Sequence, residues 1–411
     1  MANKKLKNIA FFSFFHFSIF LLIFITPLSN AYAENLLSEN KSAQSSEVNF
    51  KFQGEVRPGL RILDLNTMLI PFEFVAPAYR ERAQELKNFI LKDYDVVLLQ
   101  EVFSKKMQRD FIEKWYSAND MGKLDEPAAI GTKVYDEEII NQRPNNIEVN
   151  AESGKFFVSG PKRQGLESFF GSGLLLLSRY PIIYSNVFCY TDRSGSDVFA
   201  SKGVIYAKIK TGESPNEYIH FFITHMQSHN YVNSRQKNIK ELLSFVSKII
   251  ADEIDKTKSI NPVIITGDFN VPANSNNREI SSEYIFLTES IDSMCAEINS
   301  IFPDGSFYLR DLWAIKNPGV PGYTWIAKNE EEIKNSPYGE LGNTIAIEKQ
   351  GAERIDYIFY FGGSSSIKTE SLNIDLVPQK PEKLYSFKNG RLKSYTLSDH
   401  LGLDAEFKII K

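Results

Sequence analysis

Six places in the chain set a proton-transferring or metal-ligating side chain at the end of an apolar run or inside one. They are Asn66 closing LRILDLN, Glu101 following DVVLLQ, His225 in THMQ, Asp268 with Asn270 in GDFN, Asp356 in RIDYIF, and Asp399 with His400 in SDH. Carboxylate and carboxamide oxygens suit a hard cation that keeps part of its water, which means Mg²⁺, with Mn²⁺ or Co²⁺ as stand-ins. Two histidines beside such a centre can handle protons and phosphoryl oxygens, and a buried aspartate can orient a histidine and raise its basicity. This is the equipment for metal-assisted hydrolysis of a phosphoester. Singly, each has a plainer explanation: Asn66 ends a strand as a turn former would, and GDFN is a strand entering an Asx turn. Glu101 is harder to dismiss, because glutamate directly after a core strand is rarely buried without a partner. The ordered set carries the reading.

The elements that must position these groups are legible from apolar periodicity. Val263 to Thr266 is a short β-branched core strand, Gly267 relaxes the backbone as it leaves the sheet, and Asp268 and Asn270, two apart, project to the same side. Leu60 to Asn66 alternates as a strand. Residues 77–92 place Tyr79, Ala83, Leu86 and Ile90 on one helical face, and Asp95 to Leu99 is a second buried strand, a βαβ-like opening. Ser104 caps a helix whose inner face holds Met107, Phe111 and Trp115. Residues 117–170 are polar and irregular and read as an insertion over one edge of the core. Strands follow at 173–178 and 182–190, then a loop over 195–202 containing Asp197 and Lys202, then a hairpin of 203–210 with 218–224. His220 lies within the second of these strands and reads as structural, whereas His225 stands at its exit. An amphipathic helix over 233–255 leads into GDFN; a helix around 281–293, a strand at Gly322 to Trp325, a strand at Arg354 to Phe359 and an alternating strand at 401–409 complete the chain.

Composition bounds the partners. The 411 residues are 43% hydrophobic and 24% charged, ordinary for a globular chain with a large core, and the net charge is −4. Without Lys4, Lys5 and Lys7 the remainder is more acidic still, which argues against non-specific binding to nucleic acid. Those lysines precede an apolar run from Ile9 to Ile25, broken at Pro27 and followed by Ala31-Tyr32-Ala33, the form of a secretory signal peptide cut before Glu34. The chain is therefore expected to be secreted or periplasmic, with residues 34–55 a disordered leader and 56–411 one catalytic domain. A retained membrane anchor is the competing reading of residues 1–33. Cys189 and Cys295 could form one disulfide in an oxidising compartment, and their spacing leaves the pairing open.

The order LRILDLN, LLQEV, SGLLLLSRYPI, THMQ, GDFN, RIDYIF and SDH resembles the endonuclease/exonuclease/phosphatase superfamily over Arg57 to Lys411. The resemblance implies a DNase I-like α/β fold, a four-layered α/β/β/α sandwich with two packed mixed sheets, and Mg²⁺-dependent phosphoester hydrolysis. Within it the chain looks most like the neutral sphingomyelinases, through Gln100-Glu101-Val102-Phe103, Ser178-Arg179-Tyr180-Pro181-Ile182, the Asp197 to Lys202 loop and the Gln227 that follows His225 and Met226. By that resemblance Glu101 and Asn66 hold the cation with Asp399 nearby. Asp268 and His400 share activation of the attacking water, Asp356 orients His400, and His225 and Asn270 bind phosphoryl oxygens. Lys202 and Asp197 shape the head-group side. The chain departs from bacterial members in having no cysteine soon after THMQ and in the length of 117–170.

The implied activity is that of an exported, monomeric enzyme cleaving sphingomyelin at a membrane surface into ceramide and phosphocholine. A DNase I-like nuclease, a phosphoinositide or phospholipid phosphoesterase on the same fold, and a catalytically silent docking module are the alternatives. The filled polar positions weigh against the silent module, and the acidic surface and the Asp197 to Lys202 loop weigh against the nuclease. The aromatic segment Leu384-Tyr385-Ser386-Phe387, before Asn389-Gly390, is a hairpin that could touch a bilayer or simply pack as an edge.

Overall fold

A computed structural model describes residues 59–411 except 74, 77, 92, 120–146, 150–155, 164–167, 213, 215, 275–278, 303–305, 326–351, 380–384, 388–391 and 395–396. The signal-peptide and leader expectations, residues 1–33 and 34–55, lie outside the described residues. In chain order the elements are β1 (Gly59–Asn66), α1 (Tyr79–Phe89), β2 (Val96–Gln100), α2 (Lys105–Ala118), β3 (Ile147–Val149), β4 (Phe157–Ser159), β5 (Leu175–Ser178) and β6 (Ile182–Cys189). A 3₁₀ turn (Gly195–Phe199) precedes β7 (Gly203–Lys210), β8 (Tyr218–His225), α3 (Val232–Thr257), β9 (Val263–Asp268) and α4 (Ser282–Ile301). Then come β10 (Arg310–Asp311), α5 (Leu312–Lys316), β11 (Asp356–Phe361), β12 (Lys368–Val377), β13 (Tyr385–Phe387), β14 (Leu392–Ser394) and β15 (Gly402–Ile410).

Two mixed sheets form the centre, one ordered β12-β15-β1-β2-β5-β4 and the other β10-β11-β9-β8-β7-β6-β3, with β13 and β14 pairing apart. The central strands read as near-continuous apolar runs because both of their faces are covered. Ile62, Val96, Leu98 and Leu176 of the first sheet meet Ile205, Phe221, Ile223 and Ile264 of the second in one buried cluster. The outer face of the first sheet packs Leu63, Val97 and Leu99 against Leu86 of α1 and Phe111 and Trp115 of α2. The outer face of the second packs Phe222, Val263 and Ile265 with Ile239, Leu242 and Val246 of α3 and Leu287 and Ile291 of α4. These are the four layers expected from the resemblance, and alternate residues of one strand feed two different cores.

Three local expectations change, and the open pairing of the two cysteines is decided. The segment 117–170 is not wholly irregular: β4 adds an edge strand to the first sheet and β3 one to the second, each only three residues long. Strands this short carry too little alternation to show in sequence. Gly322 to Trp325 forms no strand; Trp325 instead makes isolated bridges to Glu353 and to His400. Asp268 and Asn270 are not related by strand alternation, because β9 ends at Asp268 and Asn270 turns to φ 52°. Cys189 and Cys295 are both buried and both free.

Candidate active site

Strand direction brings the six places to one rim. β1 and β2 run parallel, as do β8 and β9, so Asn66, Glu101, His225 and Asp268 all stand at or just past carboxyl ends. β11 runs antiparallel to β9 in a register that sets Asp356 beside Asp268, and β8 sets His225 on the other side of Asp268. β15 runs antiparallel to β1, which returns His400 to the same edge.

Asp268 is the hub. Its Oδ2 accepts a hydrogen bond from Asn66 Nδ2 at 2.9 Å, reaching across from the opposite sheet. His225 Nε2 lies 3.4 Å and His400 Nε2 4.0 Å from the same oxygen. Its Oδ1 accepts the Asn270 N–H at 2.8 Å, an Asx turn that fixes the carboxylate plane. Gly267 makes the approach of β8 possible, since a Cβ there would lie 2.0 Å from the Thr224 carbonyl oxygen at a φ of +135°.

His400 Nδ1 and Asp356 Oδ2 are 2.8 Å apart. Asp356 is held in turn by Thr324, whose hydroxyl accepts the Asp356 N–H at 3.1 Å. Ser398 donates to the Asn66 carbonyl at 2.6 Å and accepts the His400 N–H at 3.2 Å, tying the SDH segment to the end of β1. Trp325 Nε1 donates to Asp399 Oδ2 at 3.4 Å. The Lys202 ammonium is buried between Asp197 Oδ2 at 2.8 Å and the Met226 carbonyl at 2.9 Å. Asn270 Nδ2 donates to the same Met226 carbonyl at 3.2 Å, and Asp197 also takes the Ser228 N–H at 2.7 Å.

The electrostatics separate the two histidines. Burial alone would lower His400, but Asp356, as charge and as hydrogen-bond partner, with Asp268 and Asp399, lifts it to about 10. His225 is pushed well below the ordinary value by burial and by the nearby Lys202 and His400 charges. His400 is thus the cation of the pair and His225 the neutral ring, with its buried Nδ1 unpartnered among the described residues. Burial and Asp399 push Glu101 up to about 7 against the opposing pull of Lys202 and His400. Burial and Asp356 push Asp268 up to about 6, again opposed by His400 and Lys202.

Crowded carboxylates that raise one another describe a site built for a positive ion, and an all-oxygen donor set suits a hard divalent one. Asp268, Asp356 and His400 have ligand atoms within 4.8 Å of one another. The His400–Asp356 hydrogen bond, however, already occupies one atom of each, and Asp268 accepts from Asn66 and Asn270, so Glu101 and Asp399 are the better oxygen donors. Glu101 is also the more open, its side chain 17% exposed against 2% for Asp268. Asn66 Oδ1 accepts the Met68 N–H at 3.0 Å and keeps its second lone pair for an ion. Both Glu101 and Asn270 hold left-handed backbones, φ 62° and 52°, a strain that non-glycine residues keep where the surroundings impose it.

The candidate catalytic, phosphate-binding and metal-ligating residues named from sequence therefore lie in or against this cluster. Sequence reasoning missed Ser398, Thr324 and Trp325 as supports; Trp325 and Asp399 are too far apart in the chain for any local pattern to join them. Asp64 was also missed, although it lies two residues before Asn66 and so on the same strand face. It is fully buried, receives Gln100 Nε2 at 2.8 Å, and is pushed well up by burial and by Asp356.

The sandwich and its polar rim define a phosphoesterase-type fold, and comparison with known sequences gives the family. Residues 76–400 match the endonuclease/exonuclease/phosphatase family, and the chain belongs to it. It is 30% identical over 334 residues to a sphingomyelinase of Dictyostelium discoideum, covering 72% of this chain and 64% of that protein. It is 26% identical over 261 residues to sphingomyelinase C of Bacillus cereus, covering 57% and 67% respectively. The chain thus spans about two thirds of the length of each. Among solved structures, beta toxin of Staphylococcus aureus aligns over 84% of this chain and 99% of its own, with 18% identity and a TM-score of 0.49.

Proposed function

We propose that this protein is a divalent-cation-dependent phosphodiesterase that hydrolyses sphingomyelin to ceramide and phosphocholine. The observation that carries the reading is Asp268 Oδ2, within 4.0 Å of His225 Nε2 and His400 Nε2 and bonded to Asn66, next to the Glu101 carboxylate. The similarity to two proteins named as sphingomyelinases supplies the substrate class. Water attacks phosphorus, the bond from phosphorus to the ceramide oxygen breaks, and that oxygen leaves with a proton. Asp268, ionised above about pH 6, accepts the water proton. His400, kept charged by Asp356, holds the proton that the leaving oxygen requires. His225, neutral, and Asn270 face the phosphoryl oxygens as donors. A cation held by Glu101, Asn66 and Asp399 supplies charge neutralisation, with Mg²⁺ the fitting ion.

Export with cleavage before Glu34 belongs to the same reading, on the strength of the lysine-led apolar segment and Ala31-Tyr32-Ala33. No helix among the described residues is long and apolar enough to cross a membrane. The deciding experiment measures phosphocholine release from sphingomyelin vesicles beside nicking of plasmid DNA, each with Mg²⁺ and with chelator. Phosphocholine release that requires Mg²⁺ supports the proposal; plasmid nicking without lipid cleavage overturns it.

A further inference from the structure

Three of the four exposed large aromatic side chains among the described residues lie on one rim: Phe72 (42% exposed), Phe169 (53%) and Tyr231 (41%). They come from separate loops, yet contacts connect them. Phe72 meets Phe170 edge-on at 5.7 Å between ring centres, and Phe170 meets Phe103 at 5.8 Å. Phe169 meets Phe199 at 5.3 Å, and the Phe199 carbonyl receives both the Phe169 and Phe170 N–H groups. Phe199 closes the 3₁₀ turn that opens at Gly195, where a Cβ would stand 2.6 Å from the Tyr231 ring. One end of this ridge adjoins the catalytic cluster: a Cβ on Gly173 would touch Phe103 at 2.9 Å and the Glu101 Cα at 3.1 Å. The other end follows His225 by six residues. The fourth exposed aromatic, Tyr308, packs on Phe361 at the opposite end of β11 from Asp356.

Exposed basic residues stand beside the ridge, in a chain whose net charge is −4. Lys105 and Lys106 follow Phe103 at the start of α2, and Lys162 and Arg163 lie against Gly171, all four exposed. The nearby Glu73 carboxylate is engaged by the Ala78 N–H and by Arg80. Exposed rings joined by contacts, with basic heads beside them, are the composition of segments that sit at a membrane interface, rings among the upper acyl chains and cations at the phosphates. The scissile bond of a phospholipid lies at that same depth, so a cleft mouth that reaches it must bring its rim into the interface.

We propose that Phe72, Phe169 and Tyr231, flanked by Lys105, Lys106, Lys162 and Arg163, form a docking ridge for the phosphate and upper acyl layer of a lipid bilayer. It names the membrane-contacting surface of the lipid hydrolase proposed above and rests on that reading for its orientation. Docking is tested without turnover, on phosphatidylcholine vesicles in chelator, using the full mature chain. In Phe169→Trp the added indole should shift its emission to the blue when vesicles are added, after subtraction of the wild-type signal; Tyr308→Trp should not shift. The double variant Phe72→Ser, Phe169→Ser, checked by circular dichroism, should lose vesicle partitioning about ten-fold or more, the scale of removing buried aromatic area. Its cleavage of a water-soluble phosphocholine ester should equal wild type. If neither protein cleaves that ester, the catalytic reading fails while the partitioning result still judges the ridge. No shift at 169, an equal shift at 308, or unchanged partitioning of a folded double variant overturns the proposal. So does binding of a single-stranded oligonucleotide by the ridge while vesicles are ignored, since stacked aromatics with cations also suit bases.

Discussion

His225 and His400 approach one carboxylate oxygen of Asp268 and differ in charge because only His400 has Asp356 behind it. His400→Ala and His225→Ala should each lower turnover by about 10²–10⁴-fold, the range for a positioned acid, base or donor. Asp356→Asn should resemble His400→Ala, and the double variant should be little worse than either, because the two act as a unit. His229→Ala, at an exposed ring, is the control that should keep wild-type turnover in a head-group release assay. His220 differs from both, since its Nε2 lies against Glu253 and its Nδ1 against the Tyr206 hydroxyl in the core. Burial lowers His220 despite Glu253, so the unfolded chain takes up a proton below about pH 6.5 that the folded ring refuses. Burial would raise Glu253, but His220 and the Asn261 N–H outweigh it, so the folded carboxylate resists protonation as well. His220 therefore stabilises the fold at neutral pH and loses that contribution as pH falls below about 6.5, whereas Glu253 loses its own only below about 4.5. Thermal midpoints from pH 7.5 to 5 should fall less steeply in His220→Gln than in wild type; parallel curves would rule out this pair as an acid-sensitive element. At this scale the chemical residue types were legible from sequence, and so was the structural role of His220. The different protonation of His225 and His400 was not, because it depends on which charged groups lie behind each ring.

At the scale of elements, the apolar runs that became β1, β2, β8 and β9 are recognisable because strands covered on both faces are mostly apolar, with the few polar residues, such as Asp64 and His220, held by partners. The edge strands β3 and β4 and the bridging of Trp325 escaped notice, since a few backbone pairs at a sheet margin impose no pattern on side chains. The contact of β8 with β9 depends on Gly267, whose missing side chain lets the Thr224 carbonyl approach. Gly267→Ala should cost about 3 kcal/mol or more, combining a steric clash with a φ that alanine disfavours. Urea unfolding monitored by circular dichroism measures it, and a loss under about 1 kcal/mol would mean that the two strands separate with little resistance. Arg235 is a second element-level tie. It joins α3 to α4 through Glu283 at 2.8 Å and also donates to the carbonyls of Gln227 and His229, just past His225. Arg235→Ala leaves a half-buried carboxylate without its cation and should lower stability by about 3 kcal/mol, near the low end for breaking a buried pair. A thermal midpoint unchanged from wild type would show that α3 and α4 hold the loop after His225 without it.

For the whole molecule, what matters is that six chain segments end on one rim. Periodicity could place each group at the end of a strand or in one, but it could not say that β15 returns antiparallel to β1 or that β11 sets Asp356 beside Asp268. That convergence was legible only through the order of motifs and their resemblance to a known superfamily. Its consequence is a cluster of carboxylates that raise one another's pKa against the opposing pull of Lys202 and His400. Mg²⁺ should raise the thermal midpoint of wild type by mass action, and should do so much less for Glu101→Gln, which already lacks one of the repelling charges. The most direct measurement is phosphocholine release from sphingomyelin vesicles by wild type and Glu101→Gln, each with Mg²⁺ and with excess chelator. Wild type should release phosphocholine only with Mg²⁺, and the variant should be slower by about 10²-fold or more while remaining folded. Undiminished release in chelator, or full activity of Glu101→Gln, would contradict a cation-centred site on this rim.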